Sequence, residues 1–180
     1  MFSIIGIDCP YKPIPQVIQR NMYLFNDVET IIDIGAGRGR FVKWFLSNFP
    51  NIKEYVAIEP YPKFVEKLRE IHDSRLTIIH DTWENVRDEF INRKFDVVIL
   101  WDVMMFMDLR HVHQVNDPTK AVLLEIPYIV KMAKKYILFS LHPVKTGLIS
   151  KDKFPLLFSK FEKYCRLLDK KYLNRIYVKI

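Results

Sequence analysis

Thr30-Ile31-Ile32-Asp33-Ile34-Gly35-Ala36-Gly37-Arg38-Gly39-Arg40-Phe41 is the stretch on which the fold turns. A contiguous β-branched run enters an acidic residue, and three glycines follow at alternate positions. Apolar residues at helical spacing (Phe41, Val42, Phe45, Leu46) then take over. This order predicts a buried strand at Thr30–Ile34, a tight turn, and a helix over Arg40–Asn48 that stops before Pro50. Glycine suits the turn because the chain must reverse sharply and because backbone without a Cβ admits a ligand closely.

Spacing separates the two common ligands of such a turn. A dinucleotide fingerprint, G-x-G-x-x-G, needs its third glycine where this chain has Arg40. The pattern present, Asp33-x-Gly35-x-Gly37-x-Gly39, resembles motif I of the class I S-adenosylmethionine-dependent methyltransferases. A second feature agrees with it: the run Tyr55-Val56-Ala57-Ile58 ends in Glu59, where a carboxylate can accept from a ribose diol.

The resemblance implies an α/β fold: a seven-stranded, mostly parallel Rossmann-like methyltransferase sheet with helices on both faces and a C-terminal antiparallel hairpin. It also implies S-adenosyl-L-methionine as cofactor. Ligands of open α/β sheets sit beyond the carboxyl ends of the strands, where strand order reverses. By this likeness Asp33 and the loop Gly35-Ala36-Gly37 lie under the methionine end of the cofactor and Glu59 takes the ribose hydroxyls. Pro60 and Pro62 fix the loop that follows. Asp81 and Thr82, after a third strand at Arg75–Ile79, stand where the family reads the adenine amino group. Asp81 is equally suited to cap a helix over Thr82–Phe90. Trp83 is read either as an adenine stack or as core.

Phe95-Asp96-Val97-Val98-Ile99-Leu100 is the strongest buried strand and resembles the family's motif IV strand. It delivers Trp101 and Asp102 to the same rim, beside an apolar Met104-Met105-Phe106-Met107 lip. Nothing here matches the N-P-P-Y or D-P-P-Y sequence of the amino-methylating DNA enzymes. Asp117-Pro118 predicts a helix start, with Pro127 kinking or breaking the helix near Ile126 on its way to Lys135. A fifth strand at Tyr136–Leu141 leaves Ser140 and His142 at the rim. A helix over Lys153–Phe161 and two closing strands, Tyr164–Leu168 and Arg175–Ile180, complete the pattern. At the other end, Gln16–Phe25 reads as a helix that follows a proline-rich segment.

Methyl transfer from a sulfonium requires mainly alignment of nucleophile and methyl, so a side chain acts chemically only where the acceptor must lose a proton. His142 is the candidate base and Asp102 the second candidate.

The whole chain sets bounds. Its 180 residues suit one domain at 28–180, with residues 1–27 as an N-terminal segment over the site. The sequence is expected to carry no leader and no bilayer-length span, and its cysteines and histidines show no spacing that suggests a metal. The expectation is a cytoplasmic protein with free thiols at Cys9 and Cys165, no metal and no membrane partner. Charge is unevenly placed: residues 131–180 hold thirteen Lys+Arg against three Asp+Glu, whereas the first 130 hold fifteen against eighteen. That asymmetry keeps two acceptor classes open, a small molecule or protein side chain on one hand and RNA or DNA on the other. A cofactor-binding module that transfers nothing is the third reading.

Overall fold

The computed structural model describes residues 13–141, 147–171 and 174–179. Seven strands form one sheet: β1 (Thr30–Ile34), β2 (Glu54–Ile58), β3 (Leu76–Ile79), β4 (Phe95–Trp101), β5 (Ala133–Ser140), β6 (Cys165–Lys171) and β7 (Asn174–Lys179). They lie in the order β3-β2-β1-β4-β5-β7-β6. β1 to β5 are mutually parallel, and the hairpin β6–β7 is antiparallel to β5. The predicted sheet and its closing hairpin are therefore the observed ones. Strand order reverses between β1 and β4, which places the crevice between the chain ends that follow those two strands.

The helices are α1 (Gln16–Gln19), α2 (Arg40–Asn48), α3 (Pro62–Arg69), α4 (Trp83–Phe90), α5 (Arg110–His113), α6 (Pro118–Met132) and α7 (Phe154–Glu162). Alternate strand residues feed two cores. Ile31, Tyr55, Val97, Ile99 and Trp101 face α1 and α2, while Ile32, Val56, Val98 and Leu100 face α4, α6 and α7. β4 is buried along its whole length because helices cover it on both sides. An edge-on aromatic cluster, Phe25 with Trp44, Phe45 and Phe49, fills the first core. At the amino ends of the strands, the buried Asp96 carboxylate accepts from the backbone N–H groups of Glu29 (2.8 Å) and Thr30 (3.1 Å), locking β4 to β1.

Two predicted elements are corrected, the second on two points. The helix expected over Gln16–Phe25 is α1 followed by a 3₁₀ turn at Met22–Phe25. The Asn21 side-chain amide donates to the Val17 carbonyl (2.9 Å), the acceptor that an unbroken helix would use. α6 runs unbroken through Pro127, so of the kink or break expected near Ile126 the break does not occur. The carbonyl freed by the missing N–H belongs to Leu123, on the same half-exposed side as Pro127, while Val122, Ile126 and Ile129 press the opposite side onto the sheet. α6 also stops at Met132 instead of Lys135, since Ala133 already pairs with Phe95.

The basic final third divides between the two ends of the sheet. Lys131, Lys134, Lys135 and Lys179 sit where β5 begins and β7 ends, with Lys135 paired to Asp27 (2.8 Å). Lys170 and Lys171 sit at the opposite end of the hairpin. Among the described residues no helix is long and apolar enough to cross a membrane.

Candidate active site

The turn after β1 is held down by β2. The N–H groups of Gly35 (2.8 Å) and Ala36 (3.0 Å) both donate to the Ile58 carbonyl, and Gly39 N–H closes the turn on the Ala36 carbonyl (3.1 Å). The glycines answer different demands. A Cβ on Gly35 would come within 2.5 Å of Val103 Cγ2, so the lip after β4 occupies the space that glycine leaves. At Gly39 the space is filled by Ile71 and Leu68, which seats the start of α2 on α3. Gly37, with φ +57°, has no atom within 4 Å of an added Cβ; its freed space is open. Open space for a ligand thus lies at Gly37, whereas at Gly35 and Gly39 the protein itself fills the space that glycine leaves.

Glu59, one residue beyond β2, is 4% exposed. Its Oε2 accepts from Gly37 N–H (2.7 Å) and its Oε1 from Tyr61 N–H (2.9 Å). Burial raises its pKa, opposed by these two donors and by nearby His80. Pro60, next to it, is exposed. Asp33 lies beneath the turn, 1% exposed, and accepts from Tyr55 Oη (2.8 Å). Burial is the main cause that pushes its carboxyl up to about 7; the Tyr55 hydroxyl pulls it down and the Glu59 charge adds to the rise.

On the third strand's rim, Asp81 Oδ1 accepts from Thr82 N–H (2.7 Å) and from the Asn85 amide (2.7 Å), which lower its pKa, the Asn85 bond foremost. Thr82 is the helix N-cap residue and makes no side-chain cap bond, so Asp81 braces the entry to α4 from one position ahead. Trp83 is core, 3% exposed, with its indole N–H on Glu125.

Trp101 packs edge-on against Phe41 in the first turn of α2 (5.2 Å between centroids), under the glycine turn. Asp102 adopts a left-handed backbone, φ +59°, which a non-glycine residue takes only when its surroundings enforce it. Its N–H donates to the Ser140 carbonyl (3.1 Å), and the Ser140 hydroxyl donates to Asp102 Oδ1 (2.6 Å) while lying 2.8 Å from the Asn174 amide oxygen. Thus β4, β5 and β7 meet at one polar corner. Asn174 and Val103 escaped the sequence reading, since no local pattern marks either. His142 lies outside the described residues. Of His111 and His113, which follow the Met-rich lip, His113 turns inward to Glu125 (2.7 Å).

The rim therefore brings Gly35, Ala36, Gly37, Glu59 and Tyr61 into one hydrogen-bonded unit, with Asp33 and Trp101 beneath it and Asp102 across the crevice. Asp81 and Thr82 stand beyond β3, next along the sheet.

Comparison with known proteins agrees with this architecture. Residues 32–124 match the methyltransferase domain family. No curated protein matches the chain by sequence. Among solved structures, the chain is similar to magnesium protoporphyrin IX methyltransferase from Synechocystis PCC 6803 with bound S-adenosylmethionine, at 14% identity and TM-score 0.56, covering 91% of this chain and 78% of that one. A Leishmania major S-adenosylmethionine-dependent methyltransferase gives 15% identity and TM-score 0.60, with 89% and 69% covered. The mitomycin 7-O-methyltransferase MmcR gives 20% and 0.55, covering 86% of this chain, which spans about half (49%) of that enzyme's length. These likenesses speak to the fold, and the family match covers just over half of the sequence, so the chain belongs to the methyltransferase domain family and has the class I S-adenosylmethionine-dependent methyltransferase fold.

Proposed function

We propose that this chain is a methyltransferase that uses S-adenosyl-L-methionine to methylate a small-molecule or protein acceptor. The observation that carries the cofactor assignment is the Glu59 carboxylate. An ionised carboxylate has about four acceptor positions, and Gly37 and Tyr61 each take one on separate oxygens. Each oxygen keeps a lone pair for one hydroxyl of a vicinal diol, beside the open space at Gly37. The acceptor positions of Glu59 and the cradle at Gly37 both fit a ribose.

In this reading Gly35, Ala36 and Gly37 line the methionine end, Asp33 and Trp101 support that turn from beneath, and Pro60 fixes the chain past the ribose. Asp81 and Thr82 address the adenine. The cofactor, when bound, supplies a methyl group activated on sulfonium. The chain's own task is alignment and exclusion of water. Asp102, oriented by Ser140, faces the crevice from β4 and is one candidate to take a proton from the acceptor; His142, two residues beyond Ser140, is the other. Residues 1–27 are proposed as a segment over the acceptor side of domain 28–180. The described part of that segment is tied to the hairpin by Arg20, whose Nε donates to Asp169 (2.6 Å), and by Asn21 (2.5 Å).

The division of lysines between both ends of the sheet favours a small-molecule or protein acceptor over RNA or DNA, since much of the charge lies away from the rim. Titration calorimetry with S-adenosylhomocysteine tests the pocket: Glu59→Ala is expected to weaken binding by about 1–3 kcal/mol, and unchanged affinity would remove the ribose assignment. Incubation of the protein with tritiated S-adenosylmethionine and cell lysate then assigns the acceptor class by the labelled fraction. Label in nucleic acid would reverse the acceptor choice, and affinity without any label would leave a binding module.

A further inference from the structure

α6 presents Val122, Ile126 and Ile129 to the core, and within that apolar stripe stands Glu125, 0% exposed. Its carboxylate is fully engaged. Oε1 accepts from Trp83 Nε1 (3.1 Å) and Arg87 Nε (3.2 Å), and Oε2 from Arg87 Nη2 (3.1 Å) and His113 Nε2 (2.7 Å). Against an acceptor-only carboxylate, the His113 Nε2 position carries the proton. Arg87 is steadied in turn by Asp88 (2.6 Å) and by the Tyr128 ring beneath its guanidinium (5.3 Å).

An apolar side chain at position 125 would continue the stripe without the cost of burying charge, and such replacements are commonly no less stable. What the carboxylate adds is direction. Its donors come from the first and last turns of α4 and from α5. α5 has no fully buried residue of its own; Val112 packs partly buried on the core, and polar ties add direction: His113 to Glu125 and, just before the helix, Glu84 Oε1 accepting from Asp108 N–H (2.5 Å). The lip that begins with Val103 against Gly35 therefore ends on Glu125.

We propose that Glu125 is a positioning residue: one buried carboxylate, reached through His113, fixes α5 and the turn to Val115 against the turn that enters α4 and carries Asp81 and Thr82. The functional consequence, which rests on the cofactor reading above, is that occupancy of the adenine end is communicated to the acceptor side through Trp83, Glu125 and His113.

Hydrogen exchange on the ligand-free protein tests the positioning. In His113→Phe the lip loses its bond to Glu125 while Trp83 and Arg87 keep theirs, so the amides of residue 113 and Val115 are expected to exchange about tenfold faster, as loss of one buried hydrogen bond implies, with the Asp108 amide, held by Glu84, and β1 and β4 unchanged. His113→Gln, which retains an N–H donor, is expected to restore protection. Glu125→Gln is expected to loosen the lip and the α4 entry together and to shift the Trp83 indole N–H resonance. Should Glu125→Gln not fold, the His113 pair decides alone. Wild-type lip exchange in His113→Phe, or equal acceleration throughout the sheet, overturns the proposal. With saturating S-adenosylhomocysteine, wild type is expected to gain lip protection that His113→Phe does not; equal gains in both refute the communication. Failure of S-adenosylhomocysteine to bind would remove the cofactor reading, while the ligand-free comparison would still decide whether Glu125 positions the lip.

Discussion

Asp33→Asn should make this protein more stable, and by an amount that grows with pH. The Asp33 carboxyl is 1% exposed and its burial pushes it up to about 7, against 3.8 for an unperturbed aspartate. Between those two values the unfolded chain has lost its proton and the folded chain has kept it, so folding takes up a proton and stability falls as pH rises. The contribution is fully present below about pH 3.8 and gone above about 7. At about 1.36 kcal/mol per unit, the full difference amounts to roughly 4 kcal/mol. Within the accessible window, from pH 5 to pH 8, about 3 kcal/mol of it remains to be lost. Asparagine carries no titrating group and its amide oxygen can still accept from Tyr55. Urea unfolding of both proteins at pH 5, 6, 7 and 8 isolates the effect, because titrating groups not coupled to Asp33 cancel in the difference, and the same comparison in a Glu59→Gln background removes the coupled one. The advantage of Asp33→Asn should widen by about 3 kcal/mol and level off above pH 7. A difference that stays flat over this range would refute the assignment of a buried, proton-retaining carboxyl beneath the glycine turn.

The glycine turn and the buried thiol give two further expectations. Gly37→Ala should cost only the left-handed backbone strain, about 1–2 kcal/mol, yet abolish S-adenosylhomocysteine binding. Gly35→Ala and Gly39→Ala, which drive a Cβ into Val103 or into Ile71 and Leu68, should cost about 1–3 kcal/mol more; equal urea midpoints for all three would contradict this. Cys165 is 2% exposed, and burial pushes its thiol up to about 11. A thiol reagent at pH 8 should therefore modify it only in denaturant, and labelling of Cys165 in the native protein, read by peptide mass, would count against the packing of β6.

Much of this molecule is written locally. β1 and α2 have the bounds predicted for them, because a contiguous apolar run, a glycine turn and a helical stripe each fix backbone conformation within a few residues. The sheet, the reversal between β1 and β4 and the rim that gathers Gly37 and Glu59 follow from that alternation, since parallel strands can be joined in few ways. The family likeness rests on the same short motifs.

Other features were settled by residues far apart in the chain. The break after α1 depends on Asn21, which Asp169 of the hairpin also engages, 148 positions away. Passage of α6 through Pro127 depends on which side of the helix the sheet covers. The lone acid among Val122, Ile126 and Ile129 was visible in the sequence as a charge on an apolar face, but its partners Trp83, Arg87 and His113 come from two other helices. Asp102 owes its left-handed backbone to Ser140, and its corner is completed by Asn174. Sequence alone determined the class of fold and the turn on which the site is built, because backbone propensity and apolar spacing act over a few residues. Tertiary structure decided which side chain meets which, because a hydrogen bond is made by proximity, and only the folded chain brings those groups together.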